Sequence, residues 1–594
     1  MSVGDLDSRL RLIKVATDAT EKKLKKLYED EVLNILRSDM EATKRNLYVV
    51  IFDTRHSDSF LACAKLRPMQ PKTTKKATKM RTIVALVSCV FLASAGTVPE
   101  FKEFKAENLR TDQQFWKNIA RDELYEALRV RQNYGKAKNV ILFIGDGMGP
   151  NTITTARIYK GGETNRLAFE RFPHMGLLKT YSADQTVSDS SSTATALLCG
   201  VKANRGTFGV DASVGFWDCP GSLRPEARLE SLASIALKAG KSAGLVTNMR
   251  ITHSTPGPLY AHSAQRNWEC EAKMPESVRA CKDTARQLIE DFPGRDLNVI
   301  LGGGRQAFLT DVTQTPEDPI DSWGCVREDG RNLIEDYRLD KQRRGLRAAV
   351  VNNNLELNSL NLNNTDYLLG LFANTHLKYE HERDTGPNGT PSLSQLVEAA
   401  VTVLRKNEKG FFLMVEGGNI SMAHFRGRAK KAIMETLAFE QAVMKAMEMT
   451  NEEETLIIVT SDHAFTLNIN GYQRRGQSIF GIAMTSPHDH RNYTTLSYSV
   501  GGPGSFHYDI ETGNDGTQQI VRRDPSTDDI EDENYEQIGA IPLDESGHGG
   551  NDVTVYARGP FSHLFHNIHD SHYVYTAVSY AAEIGDFVRP RRNN

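Results

Sequence analysis

The sequence predicts a doubly wound α/β fold: a largely parallel central sheet flanked by helices, with a small irregular, crown-like insertion. Two observations carry this. Short apolar runs recur without polar alternation, as in strands buried on both faces of a parallel sheet. Helical patterns lie between them, at 230–239 and 431–447, as in alternating β and α units.

The runs share one design. Residues 139–144 stop at Gly145-Asp146-Gly147, and 242–247 lead toward His253 and Thr255. Residues 298–301 stop at Gly302-Gly303-Gly304, 411–415 at Glu416-Gly417-Gly418, and 455–460 at Ser461-Asp462-His463. From about 468 to 541 Gly, Ser, Tyr, Asp and Thr become common and periodicity fades, which marks the insertion; the core pattern returns at 552–557. Active sites of open α/β sheets lie beyond the carboxyl ends of the strands. Here those ends carry Asp, His, Thr and Glu, a set of metal-type ligands at one edge.

Composition bounds the function. A net charge of −3 provides no field that would favour nucleic acid or acidic membranes. No run of about 18 apolar residues is present, so no transmembrane helix is predicted. Residues 80–95 combine a basic start (Met80-Arg81), an apolar core and Ala93-Ser94-Ala95, the pattern of a secretory signal peptide. Residues 1–79 then read as an upstream extension or a gene-model artefact; the alternative is a natural amphipathic extension, since 10–36 shows helical apolar spacing. The chain ends without the hydrophobic tail that a lipid anchor needs, so release as a secreted protein is expected. Sequons at Asn363, Asn388 and Asn492 fit that address. Of seven cysteines, Cys63 and Cys89 fall in the upstream segment and the signal. The remaining five leave at least one thiol unpaired, and Cys199, in an apolar helical stretch, is expected to be buried and free.

Residues 187–197 read as a helix entry, with small polar residues before an apolar run. Backbone N–H groups at such an entry attract anions, and a serine there becomes a nucleophile when a metal removes its proton. Alone the pattern is weak, because serine-rich helix caps are common.

Longer motifs add to it. Phe143-Ile144-Gly145-Asp146-Gly147-Met148-Gly149 and Asp189-Ser190-Ser191-Ser192-Thr193-Ala194-Thr195-Ala196 resemble two stretches of animal alkaline phosphatases. So do Tyr260-Ala261-His262 through Arg266-Asn267-Trp268, Val415-Glu416-Gly417-Gly418, Ser461-Asp462-His463 and His548-Gly549-Gly550. The order and spacing match from about 110 to 583, so residues 96–594 resemble an alkaline phosphatase domain. The resemblance implies a homodimer that hydrolyses phosphate monoesters through a phosphoserine, with two zinc ions and one magnesium. Ser190 would be the nucleophile and Arg266 the phosphate clamp. Asp146 would bridge the second zinc and magnesium, with Asp462 and His463 completing that zinc site. Thr255 and Glu416 would bind magnesium, His253 would stand in the outer shell, and His548 would bind the first zinc. The resemblance also implies a Cys219–Cys281 disulfide, leaving Cys270 and Cys325 as a second pair.

The pattern breaks at the first zinc. The family places an Asp five residues after the Glu and a His four residues later; this chain has Ser421 and Phe425. One histidine with a neutral hydroxyl is a poor zinc site, since catalytic zinc has three protein ligands. The second zinc and magnesium are therefore expected, and the first zinc is doubtful. His424 stands one residue early: on a strand it would face away, and in a loop it could swing in. A structural calcium site is weakened too, with Ala373 for Glu and Asn388 for Asp. The expected function is a phosphomonoesterase of reduced activity. Its rivals are a non-catalytic relative that binds phosphate ligands and a sulfate-ester or diester hydrolase, the latter disfavoured by the intact Asp189-Ser190-Ser191.

Overall fold

The computed structural model describes residues 110–588. The signal segment, residues 1–79, Cys63, Cys89 and residues 589–594 lie outside the described residues.

Strands β1 (Asn139–Gly145), β2 (His174–Lys179), β3 (Ser242–Arg250), β4 (Val299–Gly303), β5 (Ala348–Val351), β6 (Tyr367–Leu371), β7 (Phe411–Gly417) and β8 (Thr455–Thr460) join Val553–Arg558 and Asn567–Asp570 in one ten-stranded sheet. The order is Asn567–Asp570, β2, Val553–Arg558, β8, β1, β7, β3, β4, β6, β5. Val553–Arg558 runs antiparallel to both its neighbours, and the other pairings are parallel.

Why the central strands read as unbroken apolar runs is visible in the packing. Every residue of β1, β7 and β8 is buried. Successive side chains point to opposite faces. Val140, Leu142 and Ile144 join one core with the helices Ser190–Cys199, Leu232–Lys238 and Tyr573–Ala582; Ile141 and Phe143 join the other with Pro150–Gly161, Leu393–Leu404 and Ala429–Met449.

The insertion is less irregular than its sequence suggests. Leu467–Ile469, Leu496–Gly501 and Gly539–Pro542 form a three-stranded sheet, and Ile482–Thr485 with Asn492–Thr494 and Tyr508–Thr512 with Gln518–Arg522 form two hairpins. Its strands are short and half-exposed, so no apolar period announces them. Disulfides join Cys219 to Cys281 and Cys270 to Cys325, while Cys199 is a buried free thiol whose pKa burial pushes up. Among the described residues no helix is long and apolar enough to cross a membrane.

Leu413, in the middle of β7, is fully buried. Leu413→Ala should cost about 2–5 kcal/mol in reversible denaturant unfolding; a loss below about 1 kcal/mol would contradict two-sided packing of this strand.

Candidate active site

Strands β8, β1, β7 and β3 are neighbours that run in parallel, so their carboxyl ends open at one edge. Asp462 and His463 follow β8, Asp146 follows β1, and Glu416 closes β7. After Asp146 the chain must turn sharply. Gly147 takes φ +71°, and a Cβ there would lie 2.5 Å from the Phe465 ring. Its N–H donates to Asp462 Oδ1 (3.0 Å), which also accepts from the His463 N–H (2.8 Å).

Two ligand sets result, each with its ligand atoms within 4.8 Å of one another: Asp146, Asp462 and His463, all buried, and Asp146, His253 and Glu416, buried but for a partly exposed His253. His253 thus lies within 4.8 Å of both carboxylates. Thr255 Oγ1 donates to Asp146 Oδ2 (3.4 Å) and Thr247 Oγ1 to Glu416 Oε2 (2.5 Å). Asp146 Oδ1, Asp462 Oδ2, Glu416 Oε1 and His253 Nδ1 are buried without hydrogen-bond partners. Burial, then the charges of Asp462 and Glu416, push Asp146 well up; burial lifts Glu416 to about 7 and raises Asp462. Burial also holds His463 down at about 4 and His253 well below its usual value, so both imidazoles are neutral. Partnerless acceptors, crowded carboxylates and neutral imidazoles suit divalent cations.

Ser190 opens the helix Ser190–Cys199. Asp189 caps it, accepting from Ser192 N–H (3.2 Å) and from the Ser191 and Ser192 hydroxyls (both 2.6 Å). Arg266 Nη1 also donates to Asp189 (3.0 Å). Burial would raise Asp189, but Arg266 and the serine hydroxyls outweigh it and hold the carboxyl well below its usual range. Ser190 Oγ lies 3.0 Å from His463 Nε2 and 3.4 Å from Asp146 Oδ2. A serine hydroxyl, a helix N-terminus and a guanidinium therefore converge beside the ligand sets.

The alkaline phosphatase family model matches residues 137–584. The chain belongs to the alkaline phosphatase family. It is 41% identical over 505 residues to the tissue-nonspecific alkaline phosphatase of Gallus gallus (83% of this chain, 92% of that protein). It is 39% identical over 487 residues to the membrane-bound alkaline phosphatase of Bombyx mori (79% and 85%). Alkaline phosphatases from the Antarctic bacterium TAB5 and from Thermus thermophilus share the fold at a TM-score of 0.52, with 20% and 22% identity, 76% of this chain and 100% and 92% of theirs.

Around His548 this member of the family is built differently from the carboxylate cluster. His548–Gly549 pairs antiparallel with Ala464–Phe465, which stacks the His548 ring on His463 at 3.6 Å. Its Nδ1 faces the Ser188 carbonyl (2.9 Å). Among the described residues no set of three metal-type ligands includes His548. Ser421 and Phe425 lie one turn apart on the helix Asn419–Phe425, so they share a face. Ser421 is buried with no hydrogen-bond partner for its hydroxyl, and the Phe425 ring lies 5.4 Å from His548. The strand and the loop weighed for this segment are both wrong. His424 does not swing toward His548: its Nδ1 faces Tyr498 Oη (2.6 Å), its Nε2 faces Thr152 Oγ1 (3.0 Å), and Phe465 stacks on it. Ala373 and Asn388 line one cavity of about 750 Å³, where the described residues hold no set of three metal-type ligands.

Supports of the Glu416 turn escape a reading of the sequence. Asn248 Oδ1 accepts from the N–H groups of Gly418 (2.7 Å) and Asn419 (3.2 Å). Asn248 Nδ2 donates to Glu435 Oε2 (3.3 Å), and Glu380 N–H donates to Glu435 Oε1 (2.6 Å). Burial lifts Glu435 to about 8. A carboxyl raised in the folded state binds a proton that the unfolded chain has released, so stability falls as pH rises between the two values. Glu435→Gln removes that loss. Its melting temperature should gain on wild type steadily from about pH 4.5 to about pH 8; parallel pH profiles would contradict this.

Proposed function

We propose that the chain hydrolyses phosphate monoesters through a phosphoserine at Ser190, at a rate well below that of a family member with both zinc sites. The observation that carries this reading is Ser190 Oγ at a buried helix entry, between His463 and Asp146, with Arg266 fixed on the capping Asp189. Arg266 receives two phosphate oxygens in its planar fork, and the helix N–H groups attract the same dianion. Ser190 Oγ attacks phosphorus, the P–O bond to the alcohol breaks, and the alcohol leaves. Water then cleaves the phosphoserine, freeing phosphate and the serine hydroxyl.

Asp146, Asp462 and His463 would hold the second zinc, and Asp146, Thr255 and Glu416, with His253 beside them, the magnesium. A zinc ion bound there would supply the positive charge that lowers the pKa of the serine hydroxyl. The residues around His548 do not fit the first zinc: the imidazole packs against the Phe425 ring, and Ser421 brings only a neutral hydroxyl. Without that stabiliser of the leaving oxygen, turnover should fall by ~10³-fold. The same feature favours a second reading, a relative that binds phosphate ligands without turnover. The two disulfides fit secretion through residues 80–95, and family membership supports a homodimer.

Incubation with a radiolabelled phosphate monoester, acid quench and peptide mapping should place the label on Ser190, and Ser190→Ala should lose it together with ~10²-fold or more of the hydrolysis rate. Hydrolysis that survives in Ser190→Ala would sink the phosphoserine. Labelling or phosphate binding with no turnover would establish the second reading.

A further inference from the structure

A third group of metal-type side chains lies far from Ser190 in the sequence, where the insertion meets the helix Ala429–Met449. His381 Nε2 lies 3.6 Å from Glu382 Oε1 and 3.7 Å from Glu533 Oε1, and the three ligand atoms all fall within 4.8 Å of one another. These separations are too long for hydrogen bonds. Both ring nitrogens of His381 are shielded from solvent and have no hydrogen-bond partner. The distances suit another purpose. Zinc bonds of 2.0–2.2 Å place tetrahedral ligand atoms roughly 3.3–3.6 Å apart, so only a small closure is needed.

Both walls of the group are anchored. His381 and Glu382 sit on the short turn Glu380–Glu382, held by Arg383 Nη2 on Glu380 Oε1 (2.8 Å) and by the Glu380 N–H on Glu435. The segment bearing Glu533 is held by Lys430 Nζ on the Glu531 carbonyl, Arg428 Nη2 on Glu536 Oε1 (3.2 Å) and Gln537 N–H on the Gly427 carbonyl (2.9 Å). Ligands carried on anchored segments lose little freedom when an ion binds.

We propose that His381, Glu382 and Glu533 form a divalent-cation site of zinc type that ties the insertion to the main domain. Lys431 Nζ pairs with Glu382 Oε1, the same oxygen that faces His381, so an ion bound there shares that oxygen with the ammonium or takes the free Oε2 of the carboxylate. Burial, opposed by Glu382 and Glu533 and aided by Lys431 and Lys430, holds His381 below its usual value, so the ring is neutral and its lone pair available near pH 7. Glu382 and Glu533 are 37% and 42% exposed, which leaves an entry path and room for water as a fourth ligand. The site is independent of the reading of Ser190.

The test is a count of tightly bound zinc in the purified full chain. The protein is stripped with chelator, reloaded with zinc, desalted and measured by mass spectrometry beside Glu533→Gln and His381→Asn. Wild type should carry one more zinc per chain than either variant, and the double variant should lose no more than the singles. Cobalt loaded in place of zinc should give a tetrahedral visible band that weakens in both variants. Equal counts in wild type and Glu533→Gln overturn the proposal, as does an extra ion that survives in His381→Asn. Glu533 is a partly exposed side chain, so its conservative replacement decides the question even if His381→Asn does not fold.

Discussion

Three carboxylates, Asp146, Glu416 and Asp462, are buried side by side because three adjacent parallel strands end there. Two like charges about 4 Å apart repel by about 4 kcal/mol even at an effective dielectric near 20, and burial adds a desolvation cost. The chain offers two responses. Burial, joined at Asp146 and Glu416 by the neighbouring charges, raises all three toward the protonated form, or the chain takes up divalent cations. The sheet, the Gly147 turn and the Asn248–Glu435 support hold the carboxylates in place against their mutual repulsion. The position of Ser190 between Asp146 and His463 has meaning only in relation to that cluster.

Much of this was legible in the sequence, for physical reasons. The runs 139–144, 411–415 and 455–460 are apolar throughout because their strands face two cores. β2 alternates between buried and exposed side chains, and Asn567–Asp570 is an exposed edge, so neither leaves an apolar run to read. The polar residues at the strand ends identify the site because little else places Asp, Glu and His directly after buried strands. Asn248 and Glu435 are another matter. They meet across 187 residues through one side-chain hydrogen bond, and nothing in either local sequence marks it. The surroundings of His424 were not legible because the segment after Glu416 is a helix, whose turn carries the ring toward Thr152 and Tyr498.

Membership of the alkaline phosphatase family and the state of the first zinc site are separate matters. The family rests on a match across most of the chain. The site turns on a few side chains: His548 stacked on His463, with Phe425 and Phe465 beside it, makes an aromatic wall rather than a ligand set. An aromatic ring gains from that packing but offers zinc no lone pair. Ser421, one helical turn before Phe425, brings a buried neutral hydroxyl and adds no charge.

The most direct measurement restores the missing ligands. Ser421→Asp/Phe425→His is assayed on p-nitrophenyl phosphate at alkaline pH beside wild type, with zinc counted per chain in both. The double variant should gain one zinc and a rate increase of ~10²–10³-fold. A wild-type protein that already turns over rapidly and gains neither zinc nor rate from the two substitutions would contradict it.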